Sequence, residues 1–180
     1  MDQAELRIDT ARLRLRPLTL DDLSELHCLW TKPEVRKFLW DDKIIPVEQT
    51  ASIIAASQNC FQTKGFGLWT AVDKVDEKLA GFGGFWFFHQ PPTLELLFGI
   101  APDYWHRGLA TEVARALLEY GFERLSLPRI EASTDADNHA SARVLERAGM
   151  RFWKREITQE GDLIYYALDR GVFSAARTNL

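Results

Sequence analysis

Two cysteines in 180 residues supply no disulfide framework. Cys28 and Cys60 fall in helix-like stretches, show no metal-ligand spacing and need not pair. Positive charge is not in excess either. The 22 Lys and Arg are outnumbered by 26 Asp and Glu, a formal net charge of −4, so the basic footprint of a nucleic-acid binder is missing. No apolar run approaches the roughly 20 residues that a membrane helix requires. The opening MDQAELRIDTARLRLR lacks the apolar core of a signal peptide. The four histidines, His27, His89, His106 and His139, are scattered without an HExxH or other paired spacing, which predicts no metal site. Neither a P-loop (GxxxxGK followed by Ser or Thr) nor a GxGxxG opening a helix occurs, and this argues against a nucleotide hydrolase and a dinucleotide-binding unit. There is no internal repeat, low-complexity tract or linker. These absences predict one cytoplasmic domain over residues 1–180, a monomer or homodimer with no nucleic-acid or membrane partner.

What is present is an ordinary core-forming balance, 46% apolar and 27% charged, around one telling stretch. Residues 94–124 read as a short apolar strand, a tight loop and an amphipathic helix. After Gly108, apolar residues at Leu109, Val113, Ala116, Leu117 and Tyr120 mark one buried helical face. A helix N-terminus has unpaired N–H groups and the positive end of the helix dipole. Opened by a glycine and fed by a strand, it is a natural phosphate site, and Arg107 would add a formal charge beside it. Such a unit can also bind nothing, its glycine serving only the turn.

The other elements are taken in chain order. RLRLRP alternates like a half-buried strand. Thr19, Asp21 and Asp22 open a helix with Leu23, Leu26, Leu29 and Trp30 inward, which Pro33 is expected to end. Residues 34–45, with Phe38, Leu39 and Trp40, read as irregular. Pro46 introduces a helix to about Gln62. Strands are expected at 66–72 and 79–88, with Gly81, Gly83 and Gly84 marking close backbone approach or a bulge. Gln90, Pro91 and Pro92 interrupt before strand 94–100. Leu127-Pro128 ends the long helix; a strand over 129–134, a helix over 138–148 and strands at about 151–157 and 162–169 complete the chain, with Glu160-Gly161 at the last turn. Strand, helix, strand at this spacing implies parallel neighbours joined by a right-handed crossover. The fold class is α/β, a single domain around a mixed sheet.

The segment from Trp105 to Ala110 resembles the acyl-CoA motif of the GNAT superfamily of N-acetyltransferases, Gln/Arg-x-x-Gly-x-Gly/Ala, with Trp105 where Gln or Arg is usual. ELLFGIAPDYWHRGLATE and the opening RLRLRPLTLDD are most similar to the branch of ribosomal-protein N-terminal (Rim-type) acetyltransferases. The resemblance implies a GNAT fold with a mixed, mostly antiparallel sheet flanked by helices, and acetyl-CoA as cosubstrate. It implies that the backbone of His106, Arg107, Gly108, Leu109, Ala110 and Thr111 holds pyrophosphate. Strand 94–100, to Ile100, would offer main-chain groups to the pantetheine arm. The acceptor would be a protein N-terminus, such as that of a ribosomal protein, or a small amine such as an antibiotic, polyamine or amino-acid derivative. A non-catalytic acyl-CoA sensor is a further alternative.

Acyl transfer to an amine needs a neutral acceptor, donors for the developing oxyanion and a proton or positive neighbour for the leaving thiolate. Glu95 is the candidate base. It is a carboxylate among Leu94, Leu96 and Leu97 on the strand feeding the loop, and it stands where the branch has the Glu of E-x-G-Y-W-I/L-x-P; the competing reading is a solvent-facing sheet position. Asn138 and Ser141 match the family phrase N-x-x-S-x-x-L/V-x-x-x-G-F/M, which implies cofactor contact for Asn138 and thiolate protonation, directly or through water, for Ser141. Asn138 is equally suited to cap its helix. Phe38 and Trp40, the run Trp86-Phe87-Phe88, and Glu156 with Glu160 are placed near the acceptor mouth, or else in core and solvated faces.

Overall fold

Alternation of leucine and arginine turns Leu13–Pro17 into strand β2, with Leu13 and Leu15 fully buried and Arg14 and Arg16 half-buried. The structure, a computed structural model, describes residues 6–89, 91–157 and 161–178. Gln90 and Glu160 therefore lie outside the described residues. A two-residue strand, β1 (Ile8–Asp9), precedes β2, and the helices α1 (Leu23–Thr31), α2 (Pro33–Leu39) and α3 (Val47–Lys64) come after it. Strands β3 (Leu68–Asp73), β4 (Leu79–Phe88) and β5 (Thr93–Ile100) then lead into α4 (Leu109–Glu123). The chain continues through β6 (Arg129–Asp135), α5 (His139–Ala148), β7 (Arg151–Ile157), β8 (Asp162–Asp169) and α6 (Arg170–Thr178).

The eight strands form one sheet in the order β1-β2-β3-β4-β5-β6-β8-β7. Every neighbouring pair is antiparallel except β5 and β6, the two joined through α4, which run parallel as expected of a strand–helix–strand unit. The sheet is thus mixed and mostly antiparallel, with helices packed on it. Trp30, Trp69, Phe82, Phe85 and Phe122 fill a continuous core. The predicted face of α4 is inward at Leu109, Val113, Leu117 and Tyr120, while Ala116 is half-buried.

Two departures from the sequence reading have simple causes. Pro33 does not leave an irregular segment behind it: it occupies the first turn of α2, where its missing N–H has no partner to lose and its fixed φ suits the helix. The final helix α6 has no counterpart in the sequence reading, which ends with strand 162–169: Val172 and Phe173 are its large apolar residues, and Phe173 packs against the core, its ring 4.7 Å from that of Phe122. Cys28 and Cys60 are free, one on α1 and one on α3.

The glycines of β4 set how closely its neighbours approach. A Cβ on Gly81 would lie 2.3 Å from the Gly99 carbonyl oxygen, and one on Gly83 would lie 2.9 Å from side-chain carbons of both Val113 and Leu117 of α4. A bulge faces the same run, where the β3 register shifts between Ala71 and Val72. Close approach and bulge both occur, and α4 is seated tightly on the sheet.

Candidate active site

The site begins with a parting of strands. β4 and β5 pair along eight residues each, from Gly81–Phe88 to Thr93–Ile100, but β5 and β6 share one register pair, Glu95 with Glu131. Beyond it Leu96–Ile100 and Ala132–Asp135 separate and leave main-chain groups along a cleft of about 1530 Å³. The cleft is lined by Glu95, Ile100, His106, Gly108, Leu109, Ala110, Thr111, Asn138 and Ser141. Nine of the ten residues singled out in the sequence thus share one cavity; Arg107 does not line it. Its guanidinium lies 5.1 Å from the centre of the Tyr104 ring, a cation–π contact, so the group Arg107 can bring to the cleft is its backbone.

The loop is shaped by left-handed backbone at His106 (φ 60°) and Gly108 (φ 75°). Among the described residues no side chain caps α4, so the first-turn N–H groups stay available to an anion. Three tethers hold the loop. The Trp105 indole donates to the Ile100 carbonyl at 2.7 Å, and the Tyr104 hydroxyl donates to Asp76 at 2.6 Å. Burial, then the Asp76 bond, pushes the Tyr104 phenol up to about 12, which keeps it a donor. The third tether is Arg12, whose Nη1 donates to the Arg107 carbonyl at 2.6 Å.

Glu95 is buried, 1% exposed, on the floor of the cleft. Its Oε2 accepts from the Ser133 hydroxyl at 2.6 Å. Its Oε1 lies 2.9 Å from His89 Nε2. That contact is short but off the line of a hydrogen bond, so among the described residues Oε1 has no aligned donor. A buried carboxylate in the lining of a cleft, with an imidazole beside one oxygen and a hydroxyl on the other, suits proton transfer. Around it stand Tyr165, whose hydroxyl is 3.5 Å from His89 Nε2, and Glu156, which pairs with Lys154. Burial, with the Glu156 bond and the charges of Glu95 and Glu131 adding to it, holds the Tyr165 phenol well above its ordinary value of 10. The bonds from Lys154 and Tyr165 hold the exposed Glu156 carboxyl low.

Asn138 does cap α5: its Oδ1 accepts from the Ser141 backbone N–H at 3.1 Å. Asn138 is also among the residues that line the cleft. At the far end of β6, burial, followed by the charges of Asp41 and Asp137, raises the Asp135 carboxyl. Phe38, Phe87, Phe88, Trp153 and Glu156 also line the cleft, whereas Trp40 and Trp86 do not.

Three residues of the cluster carried no functional expectation: Ser133, His89 as a partner of Glu95, and Tyr165. A signal for Ser133 existed. Ile130, Ala132 and Thr134 are buried while Glu131, Ser133 and Asp135 alternate with them, so Ser133 shares a face with the residue paired to Glu95. For His89 and Tyr165 the partnership spans 76 positions and no local pattern announces it. Among the described residues there is no group of three His, Cys, Asp or Glu side chains that could hold a metal, and no helix is long and apolar enough to cross a membrane.

Comparisons with known proteins bear on the family and the fold. The family described as Acetyltransferase (GNAT) domain matches residues 12–151. The uncharacterized N-acetyltransferase YoaA of Bacillus subtilis (strain 168) is 30% identical over 165 residues, 91% of this chain and 89% of the relative. RimL, a ribosomal alpha-N-protein acetyltransferase in complex with coenzyme A, has TM-score 0.77 at 18% identity, covering 91% of this chain and 97% of its own. AAC(6')-Ib in complex with paromomycin and acetyl-CoA has TM-score 0.75 at 17% identity, covering 94% and 99%. At these identities both structures show the shared fold, and neither selects a branch within it.

Proposed function

Because this chain belongs to the acetyltransferase (GNAT) family and is an acetyl-CoA-dependent N-acetyltransferase, we propose that its acceptor is the α-amino group of a protein or peptide, acetylated by direct attack. One observation carries the reading: the buried carboxylate residue Glu95 and the uncapped start of α4 line the same cleft. The α4 terminus fits a pyrophosphate, and the slot between β5 and β6 fits an extended amide-bearing arm.

Acetyl-CoA supplies an activated acyl carbon and a thiolate leaving group. The chain's own residues do the rest. Backbone N–H groups from His106 to Thr111 hold the pyrophosphate, and the main-chain edge of Leu96–Ile100, whose last carbonyl already holds the Trp105 indole, orients the arm. Glu95 Oε1 accepts the proton that the amine sheds as nitrogen bonds to the acyl carbon. Ser133 holds the other carboxylate oxygen. As the carbon–sulfur bond breaks, Ser141, in the first turn of α5, supplies a proton to the sulfur, and solvent returns one to its hydroxyl. Neither cysteine lies in the cleft, which supports direct transfer over an acyl-enzyme. An acceptor with pKa about 8 asks less of the base than a lysine near 10.4, which favours a peptide N-terminus.

A ribosomal protein is the acceptor that the Rim-type phrases of the sequence favour. A second reading, a small polycationic amine, is favoured by the crowded carboxylates of Asp41 and Asp135 at the far end of β6. The test is acetyl-CoA-dependent thiol release over a panel of N-terminal peptides and small amines. Turnover of peptides supports the first reading, and turnover of small amines alone replaces it with the second.

A further inference from the structure

We propose that Arg12 is a positioning residue for the cofactor: by holding the Arg107 carbonyl it turns the Gly108 N–H into the cleft. The inference rests on the reading of this loop as the pyrophosphate site. In a planar trans peptide the C=O and the following N–H point in opposite directions. The bond from Arg12 Nη1 to the Arg107 oxygen is 2.6 Å long and fixes one end of that peptide. The direction of the Gly108 N–H is therefore fixed as well.

The side on which Arg12 sits gives the direction. A shallower hollow of about 670 Å³ is lined by Arg12, Thr10 and Glu112, and it shares Gly108 and Thr111 with the cleft. The loop is a wall between the two. Arg12 pulls the carbonyl toward the outer hollow, which leaves the N–H for the inner one.

Arg12 is itself anchored. Its Nε donates to Glu112 Oε2 at 2.7 Å, and its Nη2 is 2.6 Å from the same oxygen. Glu112 Oε1 accepts from the Arg12 backbone N–H at 2.8 Å and from the Thr10 hydroxyl at 2.6 Å. Glu112 is in the first turn of α4, so the clamp ties the hairpin of β1 and β2 to the helix whose N-terminus it orients. With Nε, Nη1 and Nη2 each engaged by Glu112 or a carbonyl, Arg12 acts on the cofactor through geometry.

Geometry is separated from charge by substitution. Lysine keeps a charge at the position but cannot bridge a carboxylate and a carbonyl as a guanidinium fork does. Binding of acetyl-CoA is measured by calorimetry for the wild type, Arg12→Ala and Arg12→Lys, with turnover of acetyl-CoA compared with that of acetyl-pantetheine, which has no pyrophosphate. Both variants are expected to bind acetyl-CoA about tenfold more weakly, the factor carried by about 1.4 kcal/mol, with kcat and acetyl-pantetheine turnover unchanged. Wild-type affinity in Arg12→Lys overturns the clamp in favour of simple charge. Wild-type affinity in Arg12→Ala removes any role. Equal loss with both donors marks Arg12 as merely structural. A wild-type protein that binds acetyl-CoA only through its pantetheine arm, insensitive to competing pyrophosphate, overturns the reading of the loop itself.

Discussion

Replacing Glu95 by Gln separates the chemistry of the site from its architecture. The amide preserves volume and an acceptor for the Ser133 hydroxyl, which now sits 2.6 Å from Oε2, so the buried position stays filled and paired. What disappears is the basic oxygen. General-base catalysis contributes about 10² to 10⁴ in rate, or about 3 to 5 kcal/mol of barrier, and kcat should fall in that range. The size of the defect should depend on the acceptor. At pH 7 an amine of pKa about 8 is already about one-tenth neutral, whereas one near 10.4 is neutral in about one molecule in 2,500. Raising the pH from 7 to 9 supplies about ten times more neutral peptide N-terminus, and the deficit of Glu95→Gln should narrow by up to that factor for peptides. For an alkylamine near 10.4 the neutral share at pH 9 is still only about one in 26, so a deficit of up to about that factor should remain where the peptide's has closed. The assay is thiol release against pH with one acceptor of each type. Equal rates for variant and wild type across the range would refute Glu95 as the base.

Three further outcomes are expected. Asn138→Asp keeps the oxygen that accepts from the Ser141 N–H but loses the amide donors, so melting should hold while the KM for acetyl-CoA rises; an unchanged KM reduces Asn138 to a cap. Gly81→Ala forces a Cβ to 2.3 Å from the Gly99 oxygen, and urea titration should show a loss of about 1 to 3 kcal/mol. The carboxyls of Glu112 and Asp22 both titrate below their ordinary values of 4.5 and 3.8: burial opposes this in each, but bonds from Thr10 and Arg12, and from Arg16 and Thr19, prevail. Groups lowered by folding stabilise fully above those ordinary values and lose their contribution as pH falls through the folded ones. Melting temperature should therefore drop from about pH 4.5 downward, and Glu112→Gln should flatten part of that fall.

Much of the fold was readable in the chain because it depends on short-range pattern. The heptad-like stripe of α4, the two-residue alternation of β2 and the glycine before Leu109 each record a local demand. The register of the opening was not readable: that β5 and β6 pair at Glu95 and Glu131 and then separate is a property of two strands brought together by a helix between them. Arg107 shows a different failure. A cation beside a phosphate loop suggests a ligand, yet its neighbours His106 and Gly108 both adopt positive φ, and the ring of Tyr104 receives the side chain. Arg12, more than ninety positions away in sequence from the carbonyl it holds, reads as strand alternation and as the head of a family phrase, and neither announces that contact.

The crowding along β4 also bears on how such an enzyme can acquire new acceptors. Side chains at Gly81 and Gly83 would collide with backbone or with α4, so the frame that seats the donor has almost no room for variation. On the proposed reading, recognition there is by peptide groups, which every sequence carries. The rim is different: Phe38, Phe87 and Trp153 line the cleft yet are 36%, 40% and 46% exposed, and of the three Phe87 touches the core, edge-on to Phe66. Diversification of substrate is thereby uncoupled from retention of the donor. A library confined to those three positions should change which amine is taken while leaving acetyl-CoA binding and the melting transition in place.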